Sequence, residues 1–340
     1  LYVGRGGIMG DRAGNFAVQN ADLVFACGNR LSIRQVGYNW KTWAREAYVI
    51  VNDVDEAELK KPTLHVELPV WGAAKELLAK MVSRLEAEQA AGNTPLFKES
   101  SWVERCQEWK AKYPVVQIKH YEDTKHTNVY AFIKELSSRL SEGQVTVVGN
   151  GSACVVGSHA YVIKKGQRFI INSAIASMGY DLPAAIGAKI ANPDKDVVCI
   201  SGDGGLQMNI QELATAVVQG AGVTICVLNN YYLGMVRQMQ QLFYGKRYSA
   251  TCLRRRKSCH AECKGPNSSC PPYTPDFVKL VESYGGYGIR VEKEEDIDAA
   301  FAKAKEHRDV PVIIEFMIAT DEIVLPMVKS GNPMSEMILK

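Results

Sequence analysis

The chain is predicted to be an α/β protein with two domains, each built on a doubly wound parallel sheet, the first a partial Rossmann-like domain. Three observations lead there. Short apolar runs such as Val197-Val198-Cys199-Ile200 and Val223-Thr224-Ile225-Cys226-Val227-Leu228 alternate with segments of helical period, the pattern of buried parallel strands joined by crossover helices. These runs end in small or polar residues, Gly202-Asp203-Gly204 and Asn229-Asn230, at the strand ends where such sheets bind ligands. The length, 340 residues with 46% hydrophobic side chains, is enough for two cores.

Taken in order, residues 1–85 read as one α/β half. Ala21–Gly28 and Tyr48–Val51 are strands, His65–Leu68 is a third short strand, and a helix runs from Gly72 to about Leu85. Residues 86–101 are polar, with Gly92 and Pro95, and read as a linker. The second domain spans 102–340. It opens with a helix over Trp102–Tyr113, then a helix after Thr127 with an apolar face of Val129, Phe132, Ile133, Leu136 and Leu140. Gln144–Val148 is a strand entering the turn Gly149-Asn150-Gly151-Ser152, and Arg168–Asn172 is the next. Pro183 sits in the first turn of a small-residue helix to Ala191. The strand–helix–strand unit 196–230 follows, and Tyr284–Val291 and Val312–Phe316 complete the sheet.

Composition excludes several functions. A net charge of +3 gives no basis for nucleic-acid binding. No apolar run of about 18 residues exists to span a membrane, and the first residues lack a signal peptide's apolar core. The expected location is cytoplasmic. Nine cysteines, several inside predicted strands, are expected to be thiols and not a disulfide framework.

The chemistry concentrates at two strand ends. One carboxylate, Asp203, and one amide oxygen, Asn230, suit Mg²⁺, which keeps waters and shares its coordination with phosphate oxygens. The glycines around Asp203 and the Asn150-Gly151-Ser152 turn offer backbone donors to that phosphate. The competing reading is a metal-free crossover with a tight turn.

Several segments resemble thiamine diphosphate (ThDP) enzymes, and within them the catalytic subunit of acetohydroxyacid (acetolactate) synthases: SMGYDLPAAIGAK (177–189), GDGGLQMNIQELATA (202–216), LNNYYLGMVRQ (228–238), FYGKRYSAT (243–251), PDFVKL (275–280) and VLPMVKSG (324–331), with NFAVQNADLVFACGNR (15–30) for the central domain. The resemblance implies a ThDP- and Mg²⁺-dependent 2-keto acid carboligase making 2-acetolactate and CO₂ from two pyruvates, in branched-chain amino acid synthesis. It implies Asp203, Asn230 and the backbone carbonyl of Tyr232 as cation ligands. Gly202, Gly204 and Gly205, with Asn150, Gly151 and Ser152, would face the diphosphate. Met178 would wedge between the two cofactor rings and Met235 would lie near the thiazolium. A homo-oligomer is implied, and FAD in the central domain, with Arg30 meeting its phosphates.

Three departures shape the expectations. The family's pyrimidine-binding domain, with its activating glutamate, has no counterpart, so the chain is expected to be a fragment or half of a split enzyme, inactive alone. The family's acidic pair after its arginine is Leu31-Ser32-Ile33 here. Between Thr251 and Pro275 lies an insertion whose Cys252, Cys259, Cys263 and Cys270 form C-x6-C-x3-C-x6-C. A structural Zn²⁺ or an iron–sulfur site there competes with simple loop thiols. Other ThDP-dependent 2-keto acid decarboxylases or carboligases, and a non-catalytic cofactor-binding or regulatory module, are the alternative functions.

Overall fold

The structure is a computed structural model that describes residues 1–93, 101–122, 127–260, 263, 270, 275–320 and 323–339. The chain divides into two units, 1–115 with 325–340, and 116–324.

In the first unit, β1 (Leu23–Cys27), β2 (Tyr48–Asp53) and β3 (Leu68–Trp71) form a parallel sheet in the order β1-β2-β3. Ala26, Val49 and Val51 bury against Leu31, Val36 and Trp43. The helix Arg12–Asn20 starts at Asp11, whose carboxylate accepts from the Gly14 N–H at 2.7 Å, a side-chain cap on donors that the first helical turn leaves open. Phe16 of that helix meets Trp109 and Tyr113 edge-on, at 5.8 and 5.3 Å between ring centres. That contact groups the helix Ser101–Lys112 with the first unit, whereas the sequence placed it in the second. The stretch read as a linker starts inside the helix Ala74–Ala90, and its residues 94–100 lie outside the described residues.

The second unit carries a six-stranded parallel sheet in the order β5-β4-β6-β7-β9-β8. Its strands are β4 (Val145–Val148), β5 (Arg168–Ile171), β6 (Val197–Gly202), β7 (Thr224–Asn229), β8 (Tyr287–Val291) and β9 (Val312–Met317). The middle strands are apolar along their length because helices cover both faces: Cys199, Ile200, Ile225, Cys226, Ile313 and Ile314 are fully buried. From β4 the chain steps outward to β5, then returns to the other side of β4 for β6. Winding therefore reverses between β4 and β6, and adjacent loops leave in opposite directions there, opening a crevice at the strand ends. No helix among the described residues is long and apolar enough to cross a membrane.

Candidate active site

The crevice sits at that reversal. β4 ends at Val148, and past Gly149 and Asn150, Gly151 turns the chain with φ +79° and ψ −144° before the helix Ser152–Ala160. This backbone region belongs to glycine. β6 ends at Gly202, and Asp203 opens a single helical turn to Leu206. β7 ends in Asn229, followed by Asn230. The result is one cleft of about 110 Å³. Asn150, Gly151, Ser152, Met178, Gly202, Asp203, Gly204, Gly205, Asn230, Tyr232 and Met235 all line it. Of the site residues read from sequence, Arg30 belongs to the first unit, where its guanidinium pairs with Glu58 at 3.0 Å and Asp55 at 3.9 Å.

Asp203 is the electrostatic centre. Its Oδ1 accepts from the Gly204 N–H at 2.7 Å, while Oδ2 is buried with no hydrogen-bond partner. Burial pushes the carboxyl up to about 7, against the lowering effect of the backbone N–H groups of Gly204, Tyr231, Asn230 and Tyr232. Those amides place the turn after β7 beside the carboxylate. A buried carboxylate oxygen without a donor is costly unless a ligand meets it. One carboxylate, an amide oxygen and backbone carbonyls fit Mg²⁺ held jointly with phosphate oxygens.

The turn itself is held by a network that the sequence did not reveal. Asn229 Nδ2 donates to buried Glu315 on β9 at 2.6 Å, and Asn229 Oδ1 accepts from the Tyr231 N–H at 2.9 Å. Glu315 Oε2 also accepts from Arg290 Nε at 2.7 Å. Asn230 Oδ1 accepts from the Tyr232 N–H at 3.0 Å. Each asparagine thus closes its own turn with a side-chain oxygen. Leu233 and Gly234 also line the cleft. A Cβ on Gly234 would stand 2.9 Å from Asn230 Nδ2, so glycine is the residue that leaves the Asn230 amide its position.

The four insertion cysteines, with Tyr232 and Arg237, line a second cavity. Among the described residues no three His, Cys, Asp or Glu side chains are grouped to hold a metal ion. Neither the structural Zn²⁺ nor the iron–sulfur site weighed for these cysteines therefore finds a ligand grouping among the described residues.

A parallel sheet with a cleft at its winding reversal, lined by a carboxylate and glycine turns, has the layout of a ligand-binding α/β domain. The chain belongs to the thiamine pyrophosphate enzymes: residues 149–316 match their C-terminal TPP binding domain and residues 1–81 their central domain. It is 36% identical over 339 residues to the acetolactate synthase large subunit of Corynebacterium glutamicum, covering 99% of this chain and 50% of that protein. The large subunit from Cyanidium caldarium is 34% identical, with 99% and 53% covered. The isozyme 3 large subunit of Escherichia coli is 32% identical, with 98% and 54% covered. The chain spans about half the length of these relatives.

Proposed function

We propose that this chain supplies the diphosphate- and Mg²⁺-binding half of a ThDP-dependent 2-keto acid carboligase of the acetolactate synthase type, joining two pyruvates with loss of CO₂. The observation that carries the reading is the unpartnered, buried Oδ2 of Asp203 beside the Asn230 turn, in a cleft shared with the glycine turn after β4. Asp203, Asn230 and the Tyr232 carbonyl hold the cation. Gly202, Gly204 and Gly205, with Asn150, Gly151 and Ser152, receive the diphosphate. Bound ThDP supplies the electron sink for decarboxylation. Met178 and Met235 give the cleft apolar walls that keep the reacting end dry. A pyrimidine-binding domain, carrying an activating glutamate, is the partner, in a homo-oligomer. FAD is no part of the proposal, because Arg30 is engaged by Glu58 and Asp55.

Calorimetric titration tests this directly. ThDP is expected to bind the folded chain with Mg²⁺ present and to lose that binding in EDTA. Added pyruvate is expected to yield acetolactate only when the pyrimidine domain of a relative is supplied in trans. Failure of the folded chain to bind ThDP in excess Mg²⁺ sinks the reading. Acetaldehyde as the product would point to a decarboxylase instead.

Gly234→Ala separates site geometry from folding. Alanine suits the first position of the helix Gly234–Phe243, so thermal stability should hold within about 0.5 kcal/mol. The added methyl displaces the Asn230 amide, and ThDP affinity should fall roughly tenfold, about 1.4 kcal/mol. Unchanged affinity would remove Asn230 from the cation's ligands.

A further inference from the structure

One carboxyl beside the cleft has no place in the ligand set proposed above. Asp181 is fully buried and opens the helix Asp181–Ala191. It is not among the residues that line the cleft; it stands behind the backbone that does. A Cβ on Gly149 would lie 2.2 Å from Asp181 Oδ2, and one on Gly205 would lie 3.7 Å from the same oxygen. The carboxyl therefore fills the space that a side chain at 149 would need, against the first residue past β4. The same oxygen is in contact range of the helical turn that Asp203 opens.

β6 supplies the third neighbour. Burial raises the Asp181 carboxyl above its ordinary value, against the lowering effect of the Ser201 hydroxyl and the N–H groups of Leu182 and Asp181 itself. Among the described residues, none of the groups acting on it is a cation. Ser201, also fully buried, donates its hydroxyl proton to Gly202 O at 3.2 Å. A hydroxyl has one proton to give, so the Ser201 oxygen is left as an acceptor, and a carboxyl that keeps its proton is the donor that fits. An acid in the first turn of a helix favours the N–H groups there without being buried, and burying one without a cation is costly. Capping alone thus leaves the placement of Asp181 unexplained.

We propose that Asp181 is a positioning residue of the cleft, its carboxyl setting the spacing between the glycine turns that follow β4 and β6. The inference rests on the reading of that cleft as a diphosphate site. Contact with Gly149 backs the first turn. The chain from Asp181 through Ser201 to Gly202 O holds the strand end from which Asp203 departs, and contact with Gly205 backs the second turn. A diphosphate that spans both turns needs donors from each at once, so a support shared by the two decides how well they meet it.

The test compares the wild-type chain with Asp181→Asn, Asp181→Ala and Ser201→Ala, first without cofactor. Asparagine keeps the shape and a donor, so the backbone amide resonances of 150–152 and 204–205 should stay in place. Asp181→Ala should move both sets together. Shifts confined to the helix 181–191 would show that the carboxyl serves its own helix, and would overturn the proposal. Should Asp181→Ala fail to fold, Ser201→Ala breaks the chain from the β6 side, and unmoved 150–152 amides in that variant overturn it as well. In Mg²⁺-dependent titrations, ThDP affinity should fall roughly tenfold in Asp181→Ala and stay within about threefold of wild type in Asp181→Asn. Wild-type affinity in a folded Asp181→Ala chain, or an equal loss in Asp181→Asn, also overturns the proposal. A wild-type chain that binds no ThDP counts against the proposed function instead, and the amide shifts still decide the role of Asp181.

Discussion

Asp203→Asn is expected to abolish Mg²⁺-dependent ThDP binding, a loss of at least roughly 100-fold, or about 2.7 kcal/mol, while making the cofactor-free protein more stable above neutral pH. The first effect follows from removing the only charged ligand among the proposed cation ligands, Asp203, Asn230 and the Tyr232 carbonyl. The second follows from linkage. Burial raises the Asp203 carboxyl from 3.8 to about 7, so between those values the folded chain keeps a proton that the unfolded chain has lost. Folding then binds protons, and stability from this group declines as pH rises through that window. By pH 8 the whole decline is in place, on the order of 4 kcal/mol for a shift of this size. Asparagine has no charge to bury. Melting curves from pH 4 to pH 8, without divalent cation, should show the wild-type chain falling relative to the variant, and Mg²⁺ with ThDP should restore it. A variant no more stable at pH 8 than the wild type would show that the carboxylate is solvated, and the cation site would lose its electrostatic basis.

Glu315→Ala carries the largest expected cost to the fold. Glu315 is 2% exposed and accepts from both Asn229 and Arg290. Its removal strands a buried amide and the inner nitrogen of Arg290. Breaking a buried pair costs about 3–5 kcal/mol, and the arginine side chain is 40% exposed, so water recovers part of that. A net loss of about 3 kcal/mol is expected, or roughly 6–12 °C in the melting temperature of a domain of this size. The effect should reach function as well, because Asn229 orders the turn that presents Asn230. ThDP affinity should drop by more than about tenfold, 1.4 kcal/mol, even in the fraction that remains folded. Chemical denaturation and calorimetry on one sample would measure both. A stable variant with normal affinity would mean that the Asn229 turn closes without its partner.

How much of this was readable in advance depended on where each interaction sits in the chain. β6 and β7 were legible because their apolar runs are continuous and end in Gly-Asp-Gly and Asn-Asn. The cleft was legible for the same reason, each of its turns being local to one strand end. β3 was placed too early, at 65–68 and not Leu68–Trp71, because Pro69 reads as a breaker. β3 lies at the edge of the three-stranded sheet, and an edge strand can spare the missing N–H. Glu315 was read as one residue of a strand. Its partner Asn229 lies 86 residues away, a pairing no local pattern encodes. The insertion cysteines show the converse: without a C-x-x-C pair their spacing suggested little, yet the fold turns all four toward one space.

The return of the chain across β4 has one more result. Apart from Gly202, the last residue of β6, everything that would touch a ligand lies beyond the strands, so the ladder need not open to admit it. Substitutions at the mouth should therefore change occupancy with little effect on folding, and those in the ladder should do the reverse. Asn229 and Glu315 stand where the two regimes meet, which makes them the positions at which a search for altered specificity would most readily cost the protein its architecture.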